Sequence, residues 1–216
     1  QEGLELAYDN WLEGKPGKKR VLKDRLNRIV QNIESIEPSV QGKQLELSID
    51  RRVQYLAYRE LATAVKSHRA KSGSLVMLDI RTGEVMAMVG QPSYNPNNRK
   101  GLKSQYLRNR AVTDVFEPGS TMKPFTIAAG LQSGNYKPNS LINTSPGYYQ
   151  IGEYMVRDMH NYGEIDVSTI ITKSSNVGAS KIALSLEPEQ YWDTLSRFGF
   201  GQSTDSGYPG ESSGSL

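Results

Sequence analysis

The chain has 216 residues, 37% of them hydrophobic, with a formal net charge of +3 and no cysteine. That length holds one or two domains with a real core, and so small a charge gives no case for nucleic acid as a partner. The lack of cysteine removes disulfides, which suits many compartments including an oxidising periplasm, and no apolar run is long enough to cross a bilayer.

Residues 1 to about 43 read as an auxiliary piece. Leu4, Tyr8, Trp11 and Leu12 recur at helical spacing, and Gly14 to Gly17 breaks that helix. Lys18, Lys19, Arg20, Lys23, Arg25 and Arg28 then make a basic stretch, which reads as a solvated face. Its apolar residues Val21, Leu22, Ile29, Val30 and Ile33 predict a hairpin turning near Arg25 to Asn27. Glu37-Pro38-Ser39 reads as a linker. From residue 44 a second segment begins. Leu45, Leu47 and Ile49 alternate, which predicts a strand, and Asp50 is placed to cap a helix carrying Val53, Leu56, Ala57, Leu61, Ala64 and Val65. Leu75 to Ile80 and Val85 to Val89 predict two strands around the turn Arg81-Thr82-Gly83-Glu84. Pro92 to Asn98 is a loop, Tyr148 to Asp158 a hairpin turning at Gly152-Glu153, and Pro188 to Phe198 a helix with Trp192, Leu195 and Phe198 inward. Strands and helices in this order predict an α+β architecture, helices packed on an antiparallel sheet.

The chemistry centres on Ser120-Thr121-Met122-Lys123. Spacing of three places Ser120 and Lys123 on one helical face, which pairs a hydroxyl nucleophile with an amine base. Pro124 lacks an N–H and crowds the carbonyl four residues back, so the helix is expected to begin at about Ser120, with Gly134 to end it. A nucleophile there feels the positive end of the helix dipole. An ordinary lysine is protonated at neutral pH, so Lys123 needs desolvation or crowding by charge to serve as base; Met122 and Phe125 are the apolar residues at hand. A serine helix cap beside an ordinary lysine remains the bland alternative. Ser174-Ser175-Asn176 reads as a short polar loop between two helical pieces, the first capped by Asp166 and the second running from Val177 to Leu186. Such a loop supplies a hydroxyl to relay protons and an amide to hold a substrate backbone. Ser133-Gly134-Asn135 fits the same pattern but lies nearly 20 Å from Ser120 at roughly 1.5 Å per helical residue. Neither His68 nor His160 sits in a metal-ligand cluster, and no cofactor or metal is expected.

These motifs, together with Leu47 to Gln54, Thr82 to Met88, Pro92 to Asn98, Arg108 to Pro124 and Lys173 to Gly178, resemble the class B penicillin-binding proteins. Within that family the resemblance is to the division-specific peptidoglycan D,D-transpeptidases of Gram-negative bacteria. It implies a penicillin-recognising serine transpeptidase fold over residues 44–216, incomplete here, preceded over residues 1–43 by the end of a non-catalytic pedestal domain. It implies that Ser120 attacks the D-alanyl-D-alanine bond of a peptidoglycan stem peptide during septal cell-wall synthesis. Lys123 would then act as base, Ser174 would pass the proton to the leaving group, and Asn176 would orient the substrate. Implied partners are stem peptides, β-lactam antibiotics and divisome membrane proteins, among them a glycan-polymerising partner; nucleic acid is not one. The implied place is the periplasmic face of the inner membrane, held by an N-terminal helix.

The family's third motif, Lys-Thr-Gly or Lys-Ser-Gly, is expected well after the second, yet Lys71-Ser72-Gly73 is the one match and reads as turn chemistry. The chain is therefore read as truncated at both ends, with impaired activity on its own. Two alternatives use the same serine and lysine: a D,D-carboxypeptidase or β-lactamase of the superfamily, and a non-catalytic β-lactam sensor or interaction domain.

Overall fold

The structure, a computed structural model, describes residues 2–216. The chain forms two compact units, one of the residues up to Asp114 with Asp205–Ser212, the other of Val115–Thr204 with Ser213–Leu216.

The first unit opens with two single-turn helices, α1 (Gly3–Ala7) and α2 (Asp9–Leu12). The hairpin expected in the basic stretch follows as β1 (Lys18–Lys23) and β2 (Ile29–Glu37), antiparallel and solvated along nearly its whole length. Helix α3 (Arg51–Ser67) begins where its cap predicts: the Asp50 carboxylate accepts from the backbone N–H groups of Arg52 and Val53. The strand expected over Leu45 to Ile49 is absent. That segment meets the next hairpin through the Ser48 hydroxyl on the Val85 carbonyl and the Asp50 N–H on the Met86 carbonyl. Asp50 keeps extended geometry as the N-cap of α3, but the chain turns into that helix at Arg51, so these two contacts do not grow into a ladder. Strands β3 (Gly73–Leu78) and β4 (Val85–Gln91) pair antiparallel, and α3 covers them with Val53, Ala57 and Leu61 against Leu75, Ala87 and Val89. The four-residue α4 (Arg110–Thr113) completes this unit's helices, its Asn109 side chain accepting from the Ala111 N–H.

The second unit carries the candidate chemistry. A 3₁₀ turn over Gly119–Met122 leads into α5 (Lys123–Gln132). Then come β5 (Leu141–Asn143), the hairpin β6 (Tyr148–Ile151) and β7 (Tyr154–Arg157), and β8 (Glu164–Asp166), which returns to pair with β5. Helices α6 (Val167–Lys173), α7 (Asn176–Leu184) and α8 (Pro188–Arg197) close the unit. Its core is Ile127 of α5, Ile142 of β5, Val167 and Ile170 of α6, and Ala179 and Ile182 of α7. Every strand pairing in the chain's described residues is antiparallel, and the pairs form separate two-stranded sheets beside the helices, so the architecture is α+β.

Helix α8 departs from the expected inward face. Leu195 is buried, but Trp192 is 56% and Phe198 57% exposed. The buried side is Thr194 and Leu195, flanked by Tyr191, whose hydroxyl meets the Thr126 hydroxyl at 2.8 Å. A tyrosine that finds a polar partner on α5 sets the rotation of α8 and turns Trp192 outward.

Candidate active site

Helix α5 starts three residues later than the sequence predicts. Pro124 cannot donate to the Ser120 carbonyl, so the chain around Ser120 tightens into a 3₁₀ turn and α-helical bonding begins at Lys123. Gly119 enters that turn at φ +61° and the Thr121 hydroxyl closes it on the Pro118 carbonyl at 2.6 Å. Ser120 is exposed there, and its hydroxyl oxygen lies 3.1 Å from Lys123 Nζ.

Lys123 gathers the rest of the site. Its Nζ is 2.9 Å from the Ser174 hydroxyl, 2.6 Å from the Ser174 carbonyl oxygen and 2.6 Å from Asn176 Oδ1. With Ser120, four oxygens surround a group that has at most three protons to give. Ser120 Oγ is the most distant of the four, and it alone among them belongs to the turn that carries Lys123. Of the four, only the Ser120 and Ser174 hydroxyls carry a proton that a neutral amine could take. Partial burial pushes the Lys123 ammonium below the ordinary lysine range, while the Asp158 carboxylate pulls the other way. The Phe125 ring packs edge-on against Phe198 and Phe200, 4.9 Å from each.

The second motif is bent into position by two helix ends. The N–H of Ser175 returns to the Ile170 carbonyl and that of Ser174 to the Ile171 carbonyl, the bonding of a Schellman close to α6. The left-handed position of such a close is normally glycine, yet Ser174 occupies it at φ 53°, ψ 43°. Strain of this kind, about 1–3 kcal/mol, persists where surroundings hold the residue for another purpose; here that purpose is a hydroxyl 2.9 Å from Lys123. Ser175 is fully buried and caps α7, accepting from the Gly178 N–H at 2.9 Å. Asn176 turns its carbonyl oxygen to Lys123 and donates through Nδ2 to the Arg157 carbonyl at 2.7 Å. The structure thus brings Ser120, Lys123, Ser174 and Asn176 together around one amine.

Asp158 is the residue that sequence reasoning passed over as a mere hairpin end. Its carboxylate accepts from the Ser175 hydroxyl at 2.7 Å, the Asn176 N–H at 2.5 Å and the Val177 N–H at 3.0 Å. An acidic group at the start of α7 meets both the free N–H groups and the positive end of the helix. No spacing rule connects it to a motif 16 to 18 residues away, so only an unpaired carboxylate ahead of two helices marks it in sequence. Among the described residues no group of acidic, histidine or cysteine side chains is placed to hold a metal, and no helix is long and apolar enough to cross a membrane.

Residues 73–216 match the penicillin-binding protein transpeptidase domain, and residues 1–47 the penicillin-binding protein dimerisation domain. The chain is 47% identical over 213 residues to the peptidoglycan D,D-transpeptidase FtsI of Escherichia coli K12, a match covering 99% of this chain and 36% of that protein. It is 47% identical over 218 residues to the probable peptidoglycan D,D-transpeptidase PenA of Neisseria flavescens, covering 100% of this chain and 54% of that protein. Among solved structures it resembles the apo transpeptidase domain of Burkholderia pseudomallei penicillin-binding protein 3, with a TM-score of 0.69 and 39% identity over 81% of this chain and 48% of that one.

Proposed function

This chain belongs to the penicillin-binding protein transpeptidase family, and we propose that the protein carrying it is a peptidoglycan D,D-transpeptidase that cross-links stem peptides in septal wall synthesis. One observation carries the reading: a single amine, Lys123 Nζ, sits 3.1 Å from an exposed serine hydroxyl and within 2.9 Å of Ser174 and Asn176.

Neutral Lys123 takes the Ser120 proton as Ser120 Oγ attacks the carbonyl carbon between two D-alanines. The C–N bond breaks, and the departing amine receives a proton passed through Ser174. The acyl group stays on Ser120 until the amine of a neighbouring stem peptide attacks it, forming the cross-link and returning the hydroxyl. Asn176, held by the Arg157 carbonyl, offers its amide to the substrate backbone. A β-lactam enters the same way, and its ring-opened acyl group stays on Ser120. No cofactor takes part in these steps.

Family membership supports the wider setting. The protein works at the periplasmic face of the inner membrane, where an N-terminal helix would anchor it beside divisome membrane proteins and a glycan-polymerising partner. Residues 1–43 belong to the non-catalytic pedestal and residues 44–216 to the catalytic domain.

Intact-mass analysis after exposure to a β-lactam tests the assignment. One adduct on the wild-type protein, mapped to Ser120 and absent from Ser120→Ala, is expected; undiminished labelling of the variant would overturn it.

A further inference from the structure

Asp158 organises the second motif, but it stands at the exit of β7 in a two-stranded hairpin, an element with little stability of its own. Something must hold that exit in place. The Asp158 N–H donates to the Gly147 carbonyl at 2.9 Å, and the Gly147 N–H donates to the Thr144 carbonyl at 2.8 Å. Thr144 is fully buried, and both its N–H and its hydroxyl donate to the Gly163 carbonyl, at 2.7 and 2.8 Å. Asn161 Oδ1 closes the ring by accepting from the Gly163 N–H at 3.0 Å and the Ser145 hydroxyl at 3.2 Å.

The two segments of this knot approach so closely that a side chain at 147 would have to push backbone aside. Gly147 stands at φ +91°, and a Cβ there would lie 3.1 Å from Asn161 Cα and 3.2 Å from Asn161 N. Those are backbone atoms, which do not swing aside as a side-chain tip does. From the knot an unbroken chain of hydrogen bonds runs through Gly147 and Asp158 to Asn176 and Lys123.

We propose that Gly147 and Asn161 are positioning residues for the reaction: by closing the base of the β6–β7 hairpin they fix Asp158, and through it the Ser174–Ser175–Asn176 loop. The inference rests on the acylation reading above. A side chain at 147 would press Asn161 away and carry Asp158 with the Gly147 carbonyl, drawing Asn176 off Lys123.

A double-mutant cycle on the intact protein separates this from a merely structural turn. In stopped-flow acylation by a β-lactam, Gly147→Ala is expected to slow the acylation step about ten- to a hundredfold, the scale of a sub-ångström to 1 Å displacement. In an Asp158→Ala background the same change should cost nothing further, because both act through the side-chain oxygens of residue 158. Asn161→Ala should slow acylation too, and Asn161→Asp, which keeps the oxygen acceptor, should restore it. Hydrogen exchange gives a readout independent of chemistry: the Asn176 and Val177 amides should exchange faster in Gly147→Ala while the interior of α8 keeps its protection. Additive rate losses in the cycle, or unchanged protection at Asn176 and Val177, would overturn the inference. If Gly147→Ala does not fold, the Asn161 pair carries both measurements. Wild-type protein that takes no label at Ser120 would contradict the acylation reading instead, and the exchange result would still decide this one.

Discussion

Gly130 of α5 faces Ile182 of α7 so closely that a Cβ on residue 130 would lie 2.7 Å from Ile182 Cγ2. Both residues are buried, and the methyl it would strike belongs to a β-branched side chain with little rotamer freedom. The helix that follows Ser120 and the helix that begins with Asn176 therefore pack at this point with the Ile182 side chain set directly against the Gly130 backbone. Gly130→Ala should cost about 1–3 kcal/mol through overpacking and slow acylation as well, because it pushes Lys123 and Asn176 apart. Denaturant titration and acylation kinetics on the same variant check both halves.

Ser174→Gly should separate stability from activity. Glycine relieves a left-handed position that costs an L-residue roughly 1–2 kcal/mol, so the variant should melt higher than wild type. It also deletes the hydroxyl at 2.9 Å from Lys123, so cross-linking and acylation should both fall. A variant that melts lower, or acylates normally, would show that the serine is held there for some other reason.

The pH dependence follows from Lys123. Its folded pKa lies below the 10.5 of a free lysine because burial disfavours the charge. Acylation should rise with pH through a midpoint below 10.5, as neutral amine becomes available. Asp158 raises that pKa, so Asp158→Asn should move the midpoint further down. For stability, the unfolded chain binds more protons at this residue than the folded one. The Lys123 charge therefore costs stability below the folded pKa, and the cost fades as pH rises toward the unfolded value. Lys123→Met should flatten that slope, as read by denaturation at a series of pH values.

Ser175→Ala should unsettle the second motif without touching either of its exposed members. It removes the α7 cap, worth about 0.5–2 kcal/mol, and takes one donor from the Asp158 carboxylate. A lower melting temperature with slower acylation is expected, and Ser175→Thr should recover most of both.

The parts of the fold governed by local rules were legible. The Asp50 and Asp166 caps, the hairpins at 18–37 and 148–157, and the pairing of Ser120 with Lys123 one turn on all follow from short-range chemistry. Errors arose where a distant partner decided. Alternating Leu45, Leu47 and Ile49 had the period of a strand, but the segment meets β4 at Ser48 and Asp50 and then turns into α3 at Arg51. The apolar spacing of α8 put Trp192 inward, until the Tyr191 contact with Thr126 turned the helix. Asp158 left no trace in spacing because its three donors, the consecutive residues Ser175, Asn176 and Val177, stand beyond β8 and α6 in the chain.

The buried position of Ser175 bears on how such sites are recognised. Written as serine, any residue, asparagine, the second motif leaves its middle letter blank. Here that letter is the one member of the three with no solvent contact, and its hydroxyl both donates a hydrogen bond to Asp158 and accepts one from the Gly178 N–H. Few side chains small enough for the space do both. A pattern with a wildcard there would admit chains that cannot build this loop, whereas one requiring a small hydroxyl at the blank and a carboxylate ahead of it would describe the geometry rather than the spelling.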